Sequence, residues 1–255
     1  MDSGSVAMSS HAPRVLPFAP TPADWLLMLP VAATLIVWAF YLSPAGPAMV
    51  AWGLPVGIPW QAWAVQLLPL VIGLAALLGW LAINRWDWPN LGWRGAAGRW
   101  RWGVGGAAVG AGLALVNLTV IMVVAPSWFG GSGVDHRLFY DAPHARLSAW
   151  TMLLVVVPLV AVLVELLFRG FLLSRLLVWM PAGPIGRWSA IVSVALLFAW
   201  DPFLVMSFRE WHWLGWSDGV VWGYLFHRSG SLIAPIVAHG VEVGLLYTVF
   251  RWVVA

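Results

Sequence analysis

Apolar stretches long enough to cross a bilayer recur along this chain, at roughly 23–43, 61–83, 103–125, 149–171, 188–208, 213–228 and 231–252. As an α-helix, a run of about 18 or more apolar residues spans the hydrocarbon core. Apart from a closed barrel, only a helix satisfies its backbone hydrogen bonds there. Of all residues, 62% are hydrophobic and 9% charged, whereas a globular surface needs about 25% charge. The expected fold is therefore all-α, a polytopic transmembrane helix bundle of about seven spans, with the lipid bilayer as its first partner. The sixth stretch is short for a full span. Residues 1–22 contain Pro, Ser and Ala and no apolar run. They are expected to form a disordered cytoplasmic tail, not a cleaved signal peptide.

Arginine placement gives an expected orientation. Arg14, Arg85, Arg94, Arg99, Arg101, Arg169, Arg175, Arg187 and Arg228 fall on one side of the seven-span plan, and Arg137, Arg146, Arg209 and Arg251 on the other. By the positive-inside rule the N-terminus is cytoplasmic and the C-terminus outside. Trp86, Trp88, Trp93, Trp100 and Trp102 gather at the inner interface, and Trp211, Trp213 and Trp216 at the outer one. Indoles prefer the headgroup level, so these read as anchors. The net charge of +3 is small and dispersed, which gives no reason to expect a nucleic-acid partner. The absence of cysteine removes disulfides, thiolate metal sites and a Cys nucleophile.

Small residues one turn apart, at Gly106 and Gly110 and again at Gly219 and Gly223, allow close approach of helix backbones. Arg228-Ser229-Gly230 reads as a tight helix–helix turn with Gly supplying the awkward dihedral. The polar stretch 127–147 holds Asp135, His136, Arg137, Asp141, His144 and Arg146. It reads as a solvated outer loop, although its two histidines are possible metal ligands. No sequence repeat supports an inverted-repeat transporter.

Ionisable side chains inside a span are costly and so are functional candidates. Glu165 and Arg169, four apart, share one helix face and read first as a structural ion pair. His239 and Glu242, three apart, share a face of the last helix. Asp201 precedes Pro202, which cannot donate a backbone hydrogen bond and disfavours the helical conformation before it. The expectation is one kinked helix continuing through Phe203–Phe208, with the Asp201 carboxylate turned into the bundle.

Three fragments carry a family resemblance: Val164-Glu165-Leu166-Leu167-Phe168-Arg169, Phe198-Ala199-Trp200-Asp201-Pro202 and His239-Gly240-Val241-Glu242-Val243. In order and spacing they resemble the three motifs of the CPBP family, the CAAX-protease and bacteriocin-processing intramembrane endopeptidases. The family pattern is Glu-Glu-x-x-x-Arg, then Phe-x-x-x-His, then His-x-x-x-Asn or Asp. The segment from Ser229 to His239 also looks like the family. The resemblance implies a protease-like core over 148–254, after N-terminal transmembrane helices over 23–126. Glu165 then matches the second Glu, Phe198 the motif Phe and His239 the oxyanion-side His. Arg169 matches the motif Arg. Val164, Pro202 and Val243 stand where the resemblance implies a general base, its His partner and an oxyanion donor. None of the three can move a proton or donate a side-chain hydrogen bond.

The expected function is thus a CPBP-like membrane protein with a degraded protease site that binds a membrane peptide or partner without efficient cleavage. An alternative is an active intramembrane endopeptidase with a rearranged site built from Glu165, His239, Glu242 and Asp201. A second alternative is a small transporter or assembly subunit. No cofactor is expected, although one imidazole with carboxylates is a conceivable metal-ligand set. The expected location is a prokaryotic cell membrane.

Overall fold

The computed structural model describes residues 20–43, 60–93, 99–124, 148–208 and 212–254. The expected tail and the polar outer loop lie outside these residues. The described chain is helical, with no strand. The helices are α1 (Pro22–Leu42), α2 (Trp60–Ile83), α3 (Arg99–Thr119, extended by a π turn over Val120–Val124) and α4 (Ala149–Trp179). They continue with α5 (Pro184–Ala199), α6 (Pro202–Phe208), α7 (Leu214–Ser229) and α8 (Ile233–Val249, ending in a π turn over Phe250–Val254).

Among the described residues, four helical segments are long and apolar enough to cross a membrane: Pro22–Leu42, Trp100–Val124, Ala149–Trp179 and Ile233–Trp252. Leu67–Ile83 and Pro184–Ala199 are shorter apolar helices. Large aliphatic side chains such as Leu35, Ile36, Leu115 and Leu154 are exposed on the bundle surface, each by more than half. Water would penalise that surface, while lipid tails solvate it. This is an integral membrane protein. Trp86, Trp93, Trp100, Trp102, Trp213 and Trp216 are also exposed.

Two expected boundaries change. The fourth helix does not stop near residue 171 but runs to Trp179. The 188–208 stretch is not one kinked helix. Backbone helicity ends at Ala199, and Pro202 opens a new helix at its first position. Asp201 is the physical reason: its Oδ1 accepts the Phe203 amide at 3.0 Å, as an N-cap does. Proline suits the next position because its missing N–H would be unpaired there in any case.

Glycine brings α3 against α8. A Cβ on Gly106 would stand 2.4 Å from the Ala234 carbonyl oxygen, and one on Gly110 2.2 Å from that of Ala238. Only a hydrogen fits at either place, so this small-residue pair does mark a helix contact. It fixes α3 beside α8 at the level of His239. Gly219 and Gly223 do the same for α7, against Ala195 and Ile191 of α5. At Gly230 φ is +60°, the left-handed C-cap that ends α7 and allows the expected tight turn.

The core lies around the middle of α4, where Leu167, Phe168, Phe171 and Leu172 meet Trp80, Ile191, Phe198, Trp222 and Phe226. The first helix is tied to it by polar contacts. Asp24, in the opening turn of α1, closes a capping box with Thr21 and accepts the Trp80 indole N–H at 2.8 Å. Arg175 Nη1 stands 3.7 Å from Asp24, with its guanidinium 4.8 Å above the Trp80 ring.

Candidate functional site

α4 changes winding at the site. From Leu166 to Leu173 it is a π-helix, a local form often found where a helix carries function. Glu165 is the last residue before the change and Arg169 lies within it. Both are wholly buried. Arg169 Nη1 donates to Glu165 Oε1 at 3.0 Å, and Nη2 donates to the Gly219 carbonyl at 3.1 Å. The absence of a side chain at Gly219 leaves room for that approach.

His239, on α8, completes a triad. Its Nδ1 lies 2.9 Å from the same Glu165 Oε1, where a ring N–H donates to the carboxylate. The imidazole stacks on Trp222 with ring centres 4.2 Å apart and planes 15° from parallel. The Phe198 and Trp222 ring centres also each lie 5.1 Å from the central carbon of the Arg169 guanidinium, and 5.7 Å from each other, so the two rings meet it together. Phe198 therefore acts as an aromatic wall, packed edge-on against Phe168. Cation–π attraction is stronger in such a desolvated setting.

A second polar group sits between α3, α7 and α8. Asn117 Nδ2 donates to Asp218 Oδ2 at 3.1 Å and to Glu242 Oε1 at 2.7 Å. All three residues are buried. The Arg169 guanidinium lies in the field of Asp218 and Glu242 as well as Glu165, which joins the two groups electrostatically.

The structure thus brings Glu165, Arg169, Phe198 and His239 together and places Glu242 beside them through Asn117 and Asp218. Asp201 is different: its hydrogen bonds go to backbone amides at the start of α6. Val164 packs into the apolar core, Pro202 is buried at the first position of α6, and Val243 is half-buried on α8. Among the described residues, no group of three or more His, Asp or Glu side chains is arranged to hold a metal ion. The one imidazole is already turned toward Glu165 and Trp222. A metal does not fit this donor set.

Asn117 and Asp218 were not singled out from the sequence. An amide in an apolar helix carries no charge to draw attention, and Asp218 lies in the Gly-Trp-Ser-Asp-Gly start of a short helix, where an acid reads as surface. The usable signal was the same membrane cost that marked Glu165.

Residues 146–244 match the family model described as type II CAAX prenyl endopeptidase Rce1-like. This segment is an Rce1-like domain of the CPBP family. Neither a curated protein nor a solved structure gives a match. The Rce1-like domain contains all three motif fragments, so the family frame and the buried triad coincide. Asn117 lies outside it, and the polar interior is completed by α3.

Proposed function

We propose that this protein is an Rce1-like membrane protein whose protease site no longer cuts efficiently and serves to bind a membrane-embedded peptide or partner. The observation that carries this reading is the state of Glu165. Its Oε1 takes hydrogen bonds from both Arg169 and His239, and no part of the residue is exposed. A general base must reach the water it deprotonates. Glu165 is instead the centre of a hydrogen-bonded triad, and the neighbouring position that resembles the family base is Val164, packed in the core. A general base contributes roughly 10²–10⁴-fold and one oxyanion donor roughly 10²–10³-fold. Losing the base, its partner and a donor removes useful turnover by the family's route.

The rearranged-protease reading draws on one observation, the direct contact of His239 with Glu165. One assay separates the two. Membrane-anchored reporter peptides, among them prenylated CAAX peptides, are incubated with purified wild type and with Val164→Glu/Pro202→His/Val243→Asn. The decayed-site reading expects no cleavage by wild type and cleavage by the folded triple variant. Wild-type cleavage that the triple variant reduces would overturn it.

The same proposal includes seven crossings with the N-terminus in the cytoplasm and the C-terminus outside, in a prokaryotic cell membrane. Arg169 and Arg175 are buried and do not count as loop charges. Without them seven arginines still face four, so the bias keeps its sign. A reporter fused after Ala255 should be external. A cytoplasmic signal would remove this topology.

A further inference from the structure

We propose that Asp218 and Glu242 form a proton-binding site inside the bundle, a carboxyl pair that holds one proton between α7 and α8. It uses neither Val164 nor the cleavage chemistry, and it stands whether or not the protein cuts peptides.

Geometry carries the argument. One amide nitrogen, Asn117 Nδ2, donates to Asp218 Oδ2 and Glu242 Oε1 together. The two carboxyls, on different helices, are therefore held against each other and within hydrogen-bonding reach. Neither receives a hydrogen bond from a described arginine. Arg169, the nearest guanidinium, directs its Nη1 to Glu165 and its Nη2 to the Gly219 carbonyl. The second oxygens, Asp218 Oδ1 and Glu242 Oε2, are buried and accept from no described group. Both residues are at least nine-tenths buried.

Charge leads to the occupant. Among the described residues, the groups acting on this pair from other helices are Asn117 of α3 and Glu165 and Arg169 of α4, and His239 reaches it only through Glu165. Three carboxyls thus share one guanidinium and one imidazole, which already meet at Glu165. Two adjoining carboxylates out of water cannot both stay ionised without a compensating charge. A proton between them supplies that charge and makes one carboxyl the donor to the other, closing a hydrogen bond across the α7–α8 interface. A divalent ion is a poor alternative, because two carboxylates and an amide fall short of the oxygen shell such ions require.

Infrared spectroscopy of the full-length protein in lipid nanodiscs at neutral pH reads the proton directly. The expected result is a protonated-carboxyl C=O band in wild type that shifts in deuterium oxide. It should disappear in folded Asp218→Asn and in folded Glu242→Gln, and persist in Asp201→Asn. The wild-type band needs no variant to be seen, so a variant that fails to fold leaves the first half of the test standing. A sodium titration of thermal stability runs in parallel. Absence of the band in wild type, its survival in both pair variants, or sodium-dependent stabilisation without the band would each overturn the proposal.

Discussion

Arg169 and Arg175 lie six residues apart on α4, both buried and both against aromatic rings, yet they serve different surroundings. Arg175 faces Asp24, and that carboxylate is also held by Thr21 and Trp80. Thr21 caps the start of α1 locally, and the contacts with Trp80 and Arg175 tie α1 to the core. Arg169 faces Glu165, but Glu165 also meets His239, and Asp218 and Glu242 lie within the same field. The first arginine region is a closed structural tie. The second holds more titratable groups than the ion pair requires, together with an imidazole. Buried charge alone does not separate structure from function; the surplus of polar groups around it does.

The contrast can be broken by substitution. Arg169→Ala leaves Glu165 with His239 as its one remaining partner and removes the guanidinium charge, which should cost about 3–5 kcal/mol, the penalty for breaking one side of a buried pair. The expected readout is a large loss of folded protein in the membrane, with partial recovery in Glu165→Gln/Arg169→Gln. Normal yield of the single variant would mean that the triad is wet and loosely coupled. Arg175→Ala should cost less, about 1–3 kcal/mol, because Asp24 keeps its bonds to Thr21 and Trp80. Thermal unfolding in detergent gives the ranking, and a larger loss for Arg175→Ala would reverse the comparison. Trp80→Phe keeps the ring and removes the indole donor, so a drop of about 1 kcal/mol is expected.

How far the sequence revealed these two regions follows from what each residue costs in a membrane. Glu165, Arg169 and His239 were legible because charge at helical spacing inside an apolar run is rare. The helices themselves followed from length and hydropathy. The break at Ala199–Pro202 was written in the chain as Asp-Pro, the N-cap and first-position pair. The expectation of a single kinked helix over 188–208 obscured it. Arg175 counted only as a loop charge, since burial beside a distant Asp24 is a tertiary fact. Asn117 needed the fold most of all: only the close approach of α3 to α8, set by Gly106 and Gly110, brings its amide to Glu242.

The central claim is that the Glu165 triad is a locked remnant of a protease site. Cleavage of the membrane-anchored peptide panel by purified wild type and His239→Ala tests it most directly. The account predicts no cleavage above background for either protein. Robust wild-type cleavage that disappears in folded His239→Ala would contradict it and make Glu165 and His239 a working catalytic pair.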